Sequence, residues 1–321
     1  MELHHLVTGG AGFVGSHLTD ALIARGDTVT VLDDLSTGRL ANLDQHKANP
    51  SLTFVEGSIL DVPLVNSLVA KADHVFHLAA AVGVFNIVQN PLKSLSTNIR
   101  GSENVLEACA KNKVPVLVTS TSEIYGKNTS DALGEEDDRI LGSPLKVRWS
   151  YSEAKAIEEV LAYSYWHSEG LPARIVRLFN TVGPRQVGFY GMVVPRFVGA
   201  ALKNEPITVY GDGTQTRCFA HISDVIDALL KVAGTDKTIG TVVNIGNNFE
   251  ISILDLAKKI IEITGSKSEI TFVDYADAYE AGFEDMQRRV PSTQRLVSLT
   301  GWKVTKSLEE IIRDVAADLA K

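Results

Sequence analysis

The sequence predicts an α/β protein with a Rossmann-type, doubly wound parallel sheet and a smaller C-terminal α/β substrate-binding lobe. The first observation is an apolar run at residues 3–8 that leads into a glycine-rich turn and then a helical pattern. The second is the alternation of strand-like and helical runs up to about residue 180, which is typical of parallel sheets with right-handed crossovers. Beyond that residue, clusters of Gly and Pro break the alternation and indicate a second lobe.

The glycine turn is Gly9-Gly-Ala-Gly12-Phe-Val-Gly15, and it precedes a helix with apolar residues at Val14, Leu18 and Leu22. Strand, turn and helix therefore come in the order that a pyrophosphate site needs. Glycines permit the tight turn and a close approach of the backbone, and the helix amides meet the anion. The pattern predicts a dinucleotide site at Gly9, Gly12 and Gly15.

A second strand, at residues 28–33, ends in Asp33. An acid about 20 residues beyond the glycines can accept hydrogen bonds from both hydroxyls of the adenosine ribose. A 2′-phosphate would be repelled by the same carboxylate, so the sequence favours NAD over NADP. Arg39 lies close enough to keep NADP open as an alternative.

Further strands and helices complete the predicted lobes. The strand-like runs are 52–56, 73–78, 114–119, 173–178 and 241–246, and the helical runs lie near 14–25, 91–112 and 150–168. We predict an NAD-binding domain of residues 1–180 with 218–247, and a smaller second lobe of residues 181–217 and 248–321.

The C-terminus carries the pattern of a capped amphipathic helix. Ser307 and Glu310 have the spacing of a capping box. The predicted buried stripe consists of Leu308, Ile311, Ile312, Val315 and Leu319, as on one face of a helix. The acidic stretch at residues 134–139 is interpreted as a solvated loop.

Composition and charge exclude several classes of protein. With 31 Lys and Arg against 39 Asp and Glu, the net charge is −8 and the pI is near 5.5, which argues against a nucleic-acid surface and against binding to an anionic membrane. There is no run of 18 apolar residues and no signal-peptide pattern. Two cysteines, Cys109 and Cys218, suit a reducing cytosol as small buried side chains, so a cytoplasmic protein is expected.

The candidate catalytic pair is Tyr151 and Lys155. Residues four apart share one face of a helix, so the Lys155 cation can stabilise a Tyr151 phenolate and make the tyrosine a usable base. Downstream of a dinucleotide turn, this pair indicates redox chemistry. The alternative is a half-buried tyrosine beside a solvated lysine.

These motifs and several others occur together along nearly the whole chain. They are Thr8-Gly-Gly-Ala-Gly-Phe-Val-Gly15, Leu32-Asp-Asp-Leu-Ser-Thr-Gly38, His77-Leu-Ala-Ala80, Thr119-Ser-Thr-Ser-Glu-Ile-Tyr-Gly126, Tyr151-x-x-x-Lys155, Arg177-Leu-Phe-Asn180, Gly183-Pro-Arg185, Thr208-Val-Tyr-Gly211 and Gln215-Thr-Arg-Cys-Phe219. Jointly they resemble the extended short-chain dehydrogenase/reductases that act on nucleotide sugars.

The resemblance implies NAD as the cofactor, a UDP-sugar as the substrate, no metal, and a homodimer. The site should lie in the cleft between the two lobes. The cofactor-binding positions that it implies are Gly9, Gly12, Phe13, Val14, Gly15, Asp33, Asp61, Leu78, Ala79, Ala80, Asn98, Thr119, Tyr151 and Lys155.

By matching position, Tyr151 resembles the general base of this family and Lys155 the residue that binds the cofactor ribose. Ser122 resembles the hydroxyl that meets the sugar C4 oxygen, and Glu123 stands beside it. The implied ligands of the nucleotide sugar are Ser122, Glu123, Asn180, Val194, Val209, Tyr210, Arg217 and Arg289, of which Asn180 and Arg217 match diphosphate ligands and Val209 and Tyr210 the nucleobase rest.

The implied chemistry begins with oxidation of the sugar C4 to a ketone, with hydride passing to NAD⁺. Three reactions branch from the 4-keto sugar, namely 4-epimerisation, 4,6-dehydration and decarboxylation. Dehydration is disfavoured, because Ser122 replaces the first residue of the acidic pair of dehydratases.

The pair Ser122-Glu123 resembles the corresponding pair of UDP-glucuronate decarboxylases. The segment 279–292, which contains Arg289, resembles a segment of the same enzymes. The motif Arg148-Trp149-x-Tyr151 resembles that of the decarboxylase of the aminoarabinose pathway. We therefore expect the decarboxylation of UDP-glucuronate to UDP-xylose or its 4-keto precursor. Arg289 would hold the sugar carboxylate. Glu123 would disfavour the ionised form of the sugar carboxylate or handle a proton on it. A UDP-sugar 4-epimerase remains the alternative, since residues 32–40 resemble an epimerase equally well and an arginine near Arg289 binds diphosphate in epimerases. A non-catalytic NAD-binding regulator is the third possibility, against which Ser122, Tyr151 and Lys155 speak together.

Overall fold

A parallel sheet of seven strands forms the centre of the protein. The computed structural model describes residues 2–81, 91–188, 192–274 and 286–321. Residues 279–285 of the decarboxylase-like segment lie outside these ranges. The sheet strands are β1 (His4–Thr8), β2 (Thr28–Asp33), β3 (Leu52–Glu56), β4 (His74–His77), β5 (Val116–Thr121), β6 (Ala173–Leu178) and β11 (Val242–Ile245).

The strand order in this sheet is β11-β6-β5-β4-β1-β2-β3, and every neighbouring pair is parallel. The predicted doubly wound α/β fold is confirmed. The chain moves outward from β1 in both directions, so the connections that follow β1 and β4 diverge and leave a crevice at the carboxyl ends of these strands. Ligands of doubly wound sheets bind at such a point.

Helices cover both faces of the sheet. Val225 and Leu229 pack with Leu18 and Leu22 on one face, and Val65, Val105 and Ala162 belong to the core on the other. The helices are α1 (Phe13–Ala24), α2 (Val62–Val69), α3 (Pro91–Ser96), α4 (Ser102–Asn112), α5 (Ser150–Glu169), α6 (Val193–Lys203), α7 (Ile222–Ala233), α8 (Ile253–Thr264), α9 (Gln294–Thr300) and α10 (Leu308–Leu319).

Among the described residues, three two-stranded sheets supplement the main one. They pair β7 (Thr181–Val182) with β10 (Ala220–His221), β9 (Thr216–Cys218) with β12 (Glu250–Ser252), and β8 (Ile207–Tyr210) with β13 (Ile270–Val273). A third core, which includes Phe197, Val209, Leu256 and Ile311, joins α6, α8 and α10. Strand β11 shows that residues 242–245 return to the main sheet, while the division into the two stated domains stays a prediction.

Local signals predicted most of the element bounds. Strands β2, β3 and β6 match the predicted runs, whereas β5 lies two residues beyond its predicted run because its last residues still pair with β6. The helical run at 91–112 contains a π-helical turn at Thr97–Gly101 between α3 and α4.

Two expectations about individual residues were wrong. Leu319, assigned to the buried stripe of α10, is 43% exposed because it occupies the last helical position, whereas the capping box of Ser307 and Glu310 is present. The stretch 134–139 is not uniformly solvated. Glu135 is buried, because its side chain accepts a hydrogen bond from Asn244 N and its carbonyl one from Arg177.

Within the described ranges, no helix combines the length and the apolar character that crossing a bilayer requires.

Candidate active site

The glycine turn between β1 and α1 is shaped by close backbone contacts. Gly9 has a φ of +72°, and a Cβ there would lie 2.8 Å from Ala79 N in the segment after β4. A Cβ at Gly15 would overlap Gly9 O. These two positions therefore require glycine, which leaves the backbone N–H groups at the start of α1 open to a phosphate.

Asp33 closes β2 beside this turn. Its Oδ2 accepts a hydrogen bond from Ala11 N at 2.9 Å, and its Oδ1 accepts one from Leu35 N at 2.8 Å. Burial raises the pKa of Asp33, and these two donors oppose that shift. The carboxylate is thus held in one orientation at the edge of the crevice, as recognition of a ribose diol requires.

A cavity of about 380 Å³ occupies the crevice. Twelve of the predicted cofactor positions line it, and no cofactor position from the glycine turn is missing. Those lining residues are Gly9, Gly12, Phe13, Val14, Gly15, Asp33, Leu78, Ala79, Ala80, Thr119, Tyr151 and Lys155. The glycine cradle, the oriented Asp33 and this lining fit NAD.

Two predicted cofactor residues have other contacts. Asp61 is exposed and caps α2, because its Oδ1 accepts a hydrogen bond from Leu64 N at 3.0 Å; Ser58 and Ile59 line the cavity near it instead. Asn98 is buried and makes two hydrogen bonds with the backbone of Ala81, so it supports the cavity wall.

Several lining residues were not predicted. Arg185 has a φ of +67° and reaches Ser16 Oγ at 3.1 Å and Asp20 at 2.8 Å, which links the segment before α6 to α1. Its Gly-Pro-Arg motif was the available signal. Ser36 and Thr37 also line the cavity, and the motif at residues 32–38 was their signal. Other lining residues have no distinctive sequence pattern, and they include Lys93, Ser94, Thr97, Asn42, Gln186 and Met192.

Tyr151 and Lys155 both line the cavity from the first turns of α5. Tyr151 is half-buried, while Lys155 is 2% exposed. Lys155 Nζ donates to Thr119 O at 2.8 Å and to Glu158 Oε2 at 2.7 Å. Burial raises the pKa of Tyr151, and the carboxylates of Glu158 and Glu123 raise it further.

Glu123 lies between two arginines. Arg289 Nη1 is 2.7 Å from Glu123 Oε1, and Arg148 Nη2 is 2.6 Å from Oε2. Burial alone would raise the pKa of Glu123, but the two guanidinium groups outweigh it and lower the pKa to about 2. The carboxylate is therefore ionised at neutral pH, which disfavours the expectation that Glu123 handles a proton.

Arg289 connects this cluster to Ser122. Its Nη1 donates to Ser122 Oγ at 3.1 Å, and both side chains are buried. Arg148 was quoted above only as part of a motif, and the structure places it in the cluster through Glu123. Arg148, Arg289, Glu123 and Ser122 are called the arginine cluster below.

The remaining predicted substrate residues come from the C-terminal half of the chain. Asn180 Nδ2 donates a hydrogen bond to Cys218 O at 2.9 Å. Arg217 is buried, and its Nη1 donates a hydrogen bond to Thr216 O. Val194 and Val209 are buried, and Arg196 covers the ring of Tyr210 at 4.5 Å. None of the predicted substrate positions, all of which lie among the described residues, lines the cofactor cavity.

No group of three or more metal-binding side chains was found among the described residues.

Comparisons with known proteins agree with this geometry. The family model described as NAD dependent epimerase/dehydratase family matches residues 5–246. A UDP-N-acetyl-alpha-D-glucosaminuronate decarboxylase of Bacillus cytotoxicus is 40% identical over 98% of this chain and 97% of its own length. The UDP-glucuronic acid decarboxylase 1 of Xenopus tropicalis is 37% identical over 95% of this chain and 69% of its own.

Among solved structures, a UDP-glucuronic acid 4-epimerase of Bacillus cereus in complex with UDP-glucuronic acid and NAD superposes with a TM-score of 0.89 at 29% identity, over 99% of both chains. With the glycine cradle, the oriented Asp33 and the Tyr151–Lys155 pair on one cavity, and with a family match over most of its length, this chain belongs to the NAD-dependent epimerase/dehydratase family and is an NAD-dependent enzyme.

Proposed function

We propose that this enzyme decarboxylates a UDP-hexuronate, with UDP-glucuronate as the first substrate to consider. The observation that carries the proposal is the arginine cluster. The guanidinium groups of Arg289 and Arg148 both contact the carboxylate of Glu123 beside Ser122. The carboxylate of a uronate offers a guanidinium group a charged partner, whereas a neutral hexose does not.

The cluster suits recognition of a carboxylate because its geometry is preset. Arginine can hold a carboxylate through paired hydrogen bonds. Glu123 keeps Arg289 and Arg148 in place without cancelling both charges, and burial strengthens their attraction for an anion. In this proposal Glu123 orients the arginines and stays ionised.

The reaction proceeds from oxidation at the sugar C4. NAD⁺, when bound, supplies the hydride acceptor. Tyr151 takes the proton from the C4 hydroxyl, and Ser122 holds the C4 oxygen. Lys155 binds the cofactor ribose beside Tyr151. The resulting 4-keto uronate is a β-keto acid, so its C5–C6 bond breaks, the electron pair forms an enolate with the C4 oxygen, and CO₂ leaves. A proton then adds to C5.

The relatives support the same substrate class. Two of the named relatives are decarboxylases of UDP-linked uronic acids, and one of them matches almost the whole chain from end to end. The Bacillus protein acts on an N-acetylated uronate by its name, so UDP-N-acetylglucosaminuronate is included as a second uronate substrate.

A 4-epimerase is the second candidate. The UDP-glucuronic acid 4-epimerase fold superposes on nearly every residue, and an arginine cluster could also hold a carboxylate during epimerisation. What separates the two reactions is the fate of the C5 carboxylate after C4 oxidation.

The deciding experiment offers the purified enzyme four substrates in parallel with NAD⁺. They are UDP-glucuronate, UDP-N-acetylglucosaminuronate, UDP-glucose and UDP-N-acetylglucosamine. Products are identified by mass spectrometry and NMR, and CO₂ is measured from carboxyl-labelled uronates. Release of CO₂ with formation of a UDP-pentose or its 4-keto precursor supports the proposal. Interconversion of C4 epimers without CO₂ replaces it by the epimerase.

We also propose that the enzyme is a homodimer. Three apolar side chains of α5 are exposed at intervals of three residues, namely Ile157, Val160 and Tyr163, with 42%, 64% and 49% of their surface accessible. Such a row on one helix face suits packing against a second copy.

A cytoplasmic location is proposed from the cysteines. Cys109 and Cys218 are both free and buried, and burial raises the pKa of each thiol, that of Cys218 to about 12. Such thiols are inert and suit a reducing compartment. Cell fractionation tests this proposal.

A further inference from the structure

Lys155, which we place beside the catalytic base, has a buried anionic partner of its own. Glu158 lies one turn further along α5, is 0% exposed, and accepts a hydrogen bond from Lys155 Nζ at 2.7 Å. Nothing in the proposed function uses this carboxylate. An ion pair so fully removed from water changes the charge that Lys155 presents to the cavity.

We propose that Glu158 is a positioning residue that fixes the Lys155 ammonium against Thr119 and offsets part of its charge, so that the Tyr151 base responds to a Lys155–Glu158 pair rather than to a lone cation. The inference rests on the proposed roles of Tyr151 and Lys155.

The position of Lys155 follows from the two acceptors that face it. An ammonium group has donors only, and Thr119 O and Glu158 Oε2 bind it at 2.8 Å and 2.7 Å. Thr119 belongs to β5 and Glu158 to α5, so the pair ties the helix to the sheet. The Lys155 side chain is therefore held before any ligand enters.

Residues of α4 and β4 also lie near the Glu158 carboxylate. Ser102 of α4 lies near the carboxylate and lowers the pKa of Glu158. His77 Nε2 lies 2.9 Å from Ser102 Oγ and 3.8 Å from Glu158 Oε1, and His77 Nδ1 lies 2.7 Å from Thr8 Oγ1. This buried row connects Lys155 to the strand that precedes the glycine turn.

The row has one consistent protonation pattern. Burial, with a smaller effect of Lys155, lowers the pKa of His77 to about 3, so its ring is neutral. If Ser102 donates to Glu158, it accepts from His77 Nε2–H, which leaves Nδ1 to accept from Thr8. Burial raises the pKa of Glu158, and the ammonium of Lys155 opposes that shift.

Other charged groups near Tyr151 are already paired. Glu123 is held by Arg289 and Arg148, and Glu159 forms a two-point contact with Arg177 at 2.8 Å and 2.9 Å. The counter-ions of both carboxylates are guanidinium groups on other elements, although Glu123 still raises the pKa of Tyr151. Glu158 differs because its counter-ion, Lys155, lines the same cavity as Tyr151.

The consequence concerns the pH dependence of the base. A negative charge near a phenol disfavours the phenolate and raises its pKa, and Glu158 raises that of Tyr151. A rate that requires the phenolate rises with pH through this pKa. Removing the charge of Glu158 should therefore move the acid limb of the profile toward lower pH.

The test compares pH profiles of kcat/KM for the full-length enzyme and Glu158→Gln with the substrate that the deciding experiment identifies. We expect the acid limb of Glu158→Gln to move down by about one pH unit, which is about tenfold in rate at a pH on that limb. Glu153→Gln is the matched control, since it removes an exposed carboxylate of the same helix that pairs with Arg139. Its profile should coincide with that of the unaltered enzyme.

A direct titration separates this inference from the proposed function. The phenolate of Tyr151 is measured as the ultraviolet difference between each protein and the same protein with Tyr151→Phe. A lower midpoint in the Glu158→Gln background supports the inference even if Tyr151 proves not to be the base. Unchanged midpoints and unchanged limbs overturn it.

Glu158→Asp covers the case in which Glu158→Gln does not fold. It keeps the charge but withdraws the carboxylate by one methylene, so the same shifts are expected in the same direction and smaller. If Glu158→Asp folds and neither the limb nor the phenolate midpoint moves, Glu158 has a structural role only and the inference is wrong.

Discussion

Arg289 and Glu123 form a buried ion pair, with Nη1 of the arginine 2.7 Å from Oε1 of the glutamate. Arg289 lies between β13 and α9, whereas Glu123 lies in the turn that follows β5 of the main sheet. The pair therefore joins the two halves of the site at the position of Ser122. Arg148 contacts the other oxygen of Glu123. If the Glu123 side chain rotated out of this position, the two guanidinium groups would lose their shared counter-ion and repel each other.

The first prediction concerns this cluster. In Glu123→Ser the two guanidinium groups lose their shared counter-ion, so they no longer hold a substrate carboxylate in register. We expect release of CO₂ from UDP-glucuronate to fall by at least about tenfold, or about 1.4 kcal/mol in the barrier, and by more than C4 oxidation falls, as followed by NADH absorbance. Glu136→Ser, which removes an exposed partner of Arg295, serves as the control. Equal loss of both steps would contradict the assignment.

The second prediction concerns the base. Tyr151→Phe should keep the fold and NAD binding but lose proton transfer at C4, which typically lowers the rate by about 10² to 10⁴. Single-turnover formation of NADH measures the step. Tyr165→Phe on the same helix provides the matched loss of a hydroxyl. Turnover of Tyr151→Phe near that of the unaltered enzyme would remove Tyr151 from the mechanism.

The third prediction concerns the choice of cofactor. Asp33 is held by Ala11 N and Leu35 N, so Asp33→Ala removes a preset acceptor for the ribose hydroxyls. NAD⁺ binding should weaken by about 1.5 to 3 kcal/mol, as for hydrogen bonds to a charged group. Titration calorimetry with NAD⁺ and NADP⁺ measures it, and the exposed Asp44→Ala is the control. Tighter binding of NADP⁺ than of NAD⁺ by the unaltered enzyme would be the contrary result.

The fourth prediction concerns stability toward acid. His74 is buried against Phe76, with ring centroids 4.5 Å apart, and burial lowers its pKa to about 3. The unfolded chain binds this proton below about pH 6.5, so stability falls as the pH decreases from about 6.5 toward 3. One such group changes the free energy of unfolding by about 1.4 kcal/mol per pH unit.

Urea denaturation at pH 7 and pH 5 checks the effect. In His74→Phe the proton-binding group is gone, so the loss of unfolding free energy between the two pH values should be smaller by about 2 kcal/mol. His167→Phe, an exposed histidine at the end of α5, is the control. The same loss in His74→Phe and in the unaltered protein would show that the buried ring does not cause the acid sensitivity.

The fifth prediction concerns assembly. Val160 is the most exposed member of the apolar row on α5, at 64%. Val160→Glu places a charge in the proposed interface and should convert a dimer into a monomer, as measured by light scattering after gel filtration. Val297→Glu alters a similarly exposed apolar side chain on α9 and should leave the dimer intact. A monomeric unaltered protein would end this proposal.

The sequence by itself determined the features that depend on neighbours along the chain. The turn from Gly9 to Gly15, the acid at the end of β2 and the capping box at Ser307 are local patterns, because backbone conformation, phosphate approach and helix capping are decided within a few residues. The same holds for the alternation of strands and helices, which led to the parallel sheet.

Only the tertiary structure decided what each polar group meets. Glu135 stood in a charged run that predicted solvent, yet folding buries it against Asn244 and Arg177. Glu158 carried no distinctive signal, because glutamate is common on helices, and Arg148 stood in a decarboxylase-like motif that gave it no role of its own. Arg148 contacts Glu123, and Glu158 contacts Lys155, at buried positions. The strength of a buried charge depends on the groups within hydrogen-bond distance of it, and only the folded chain brings those groups together.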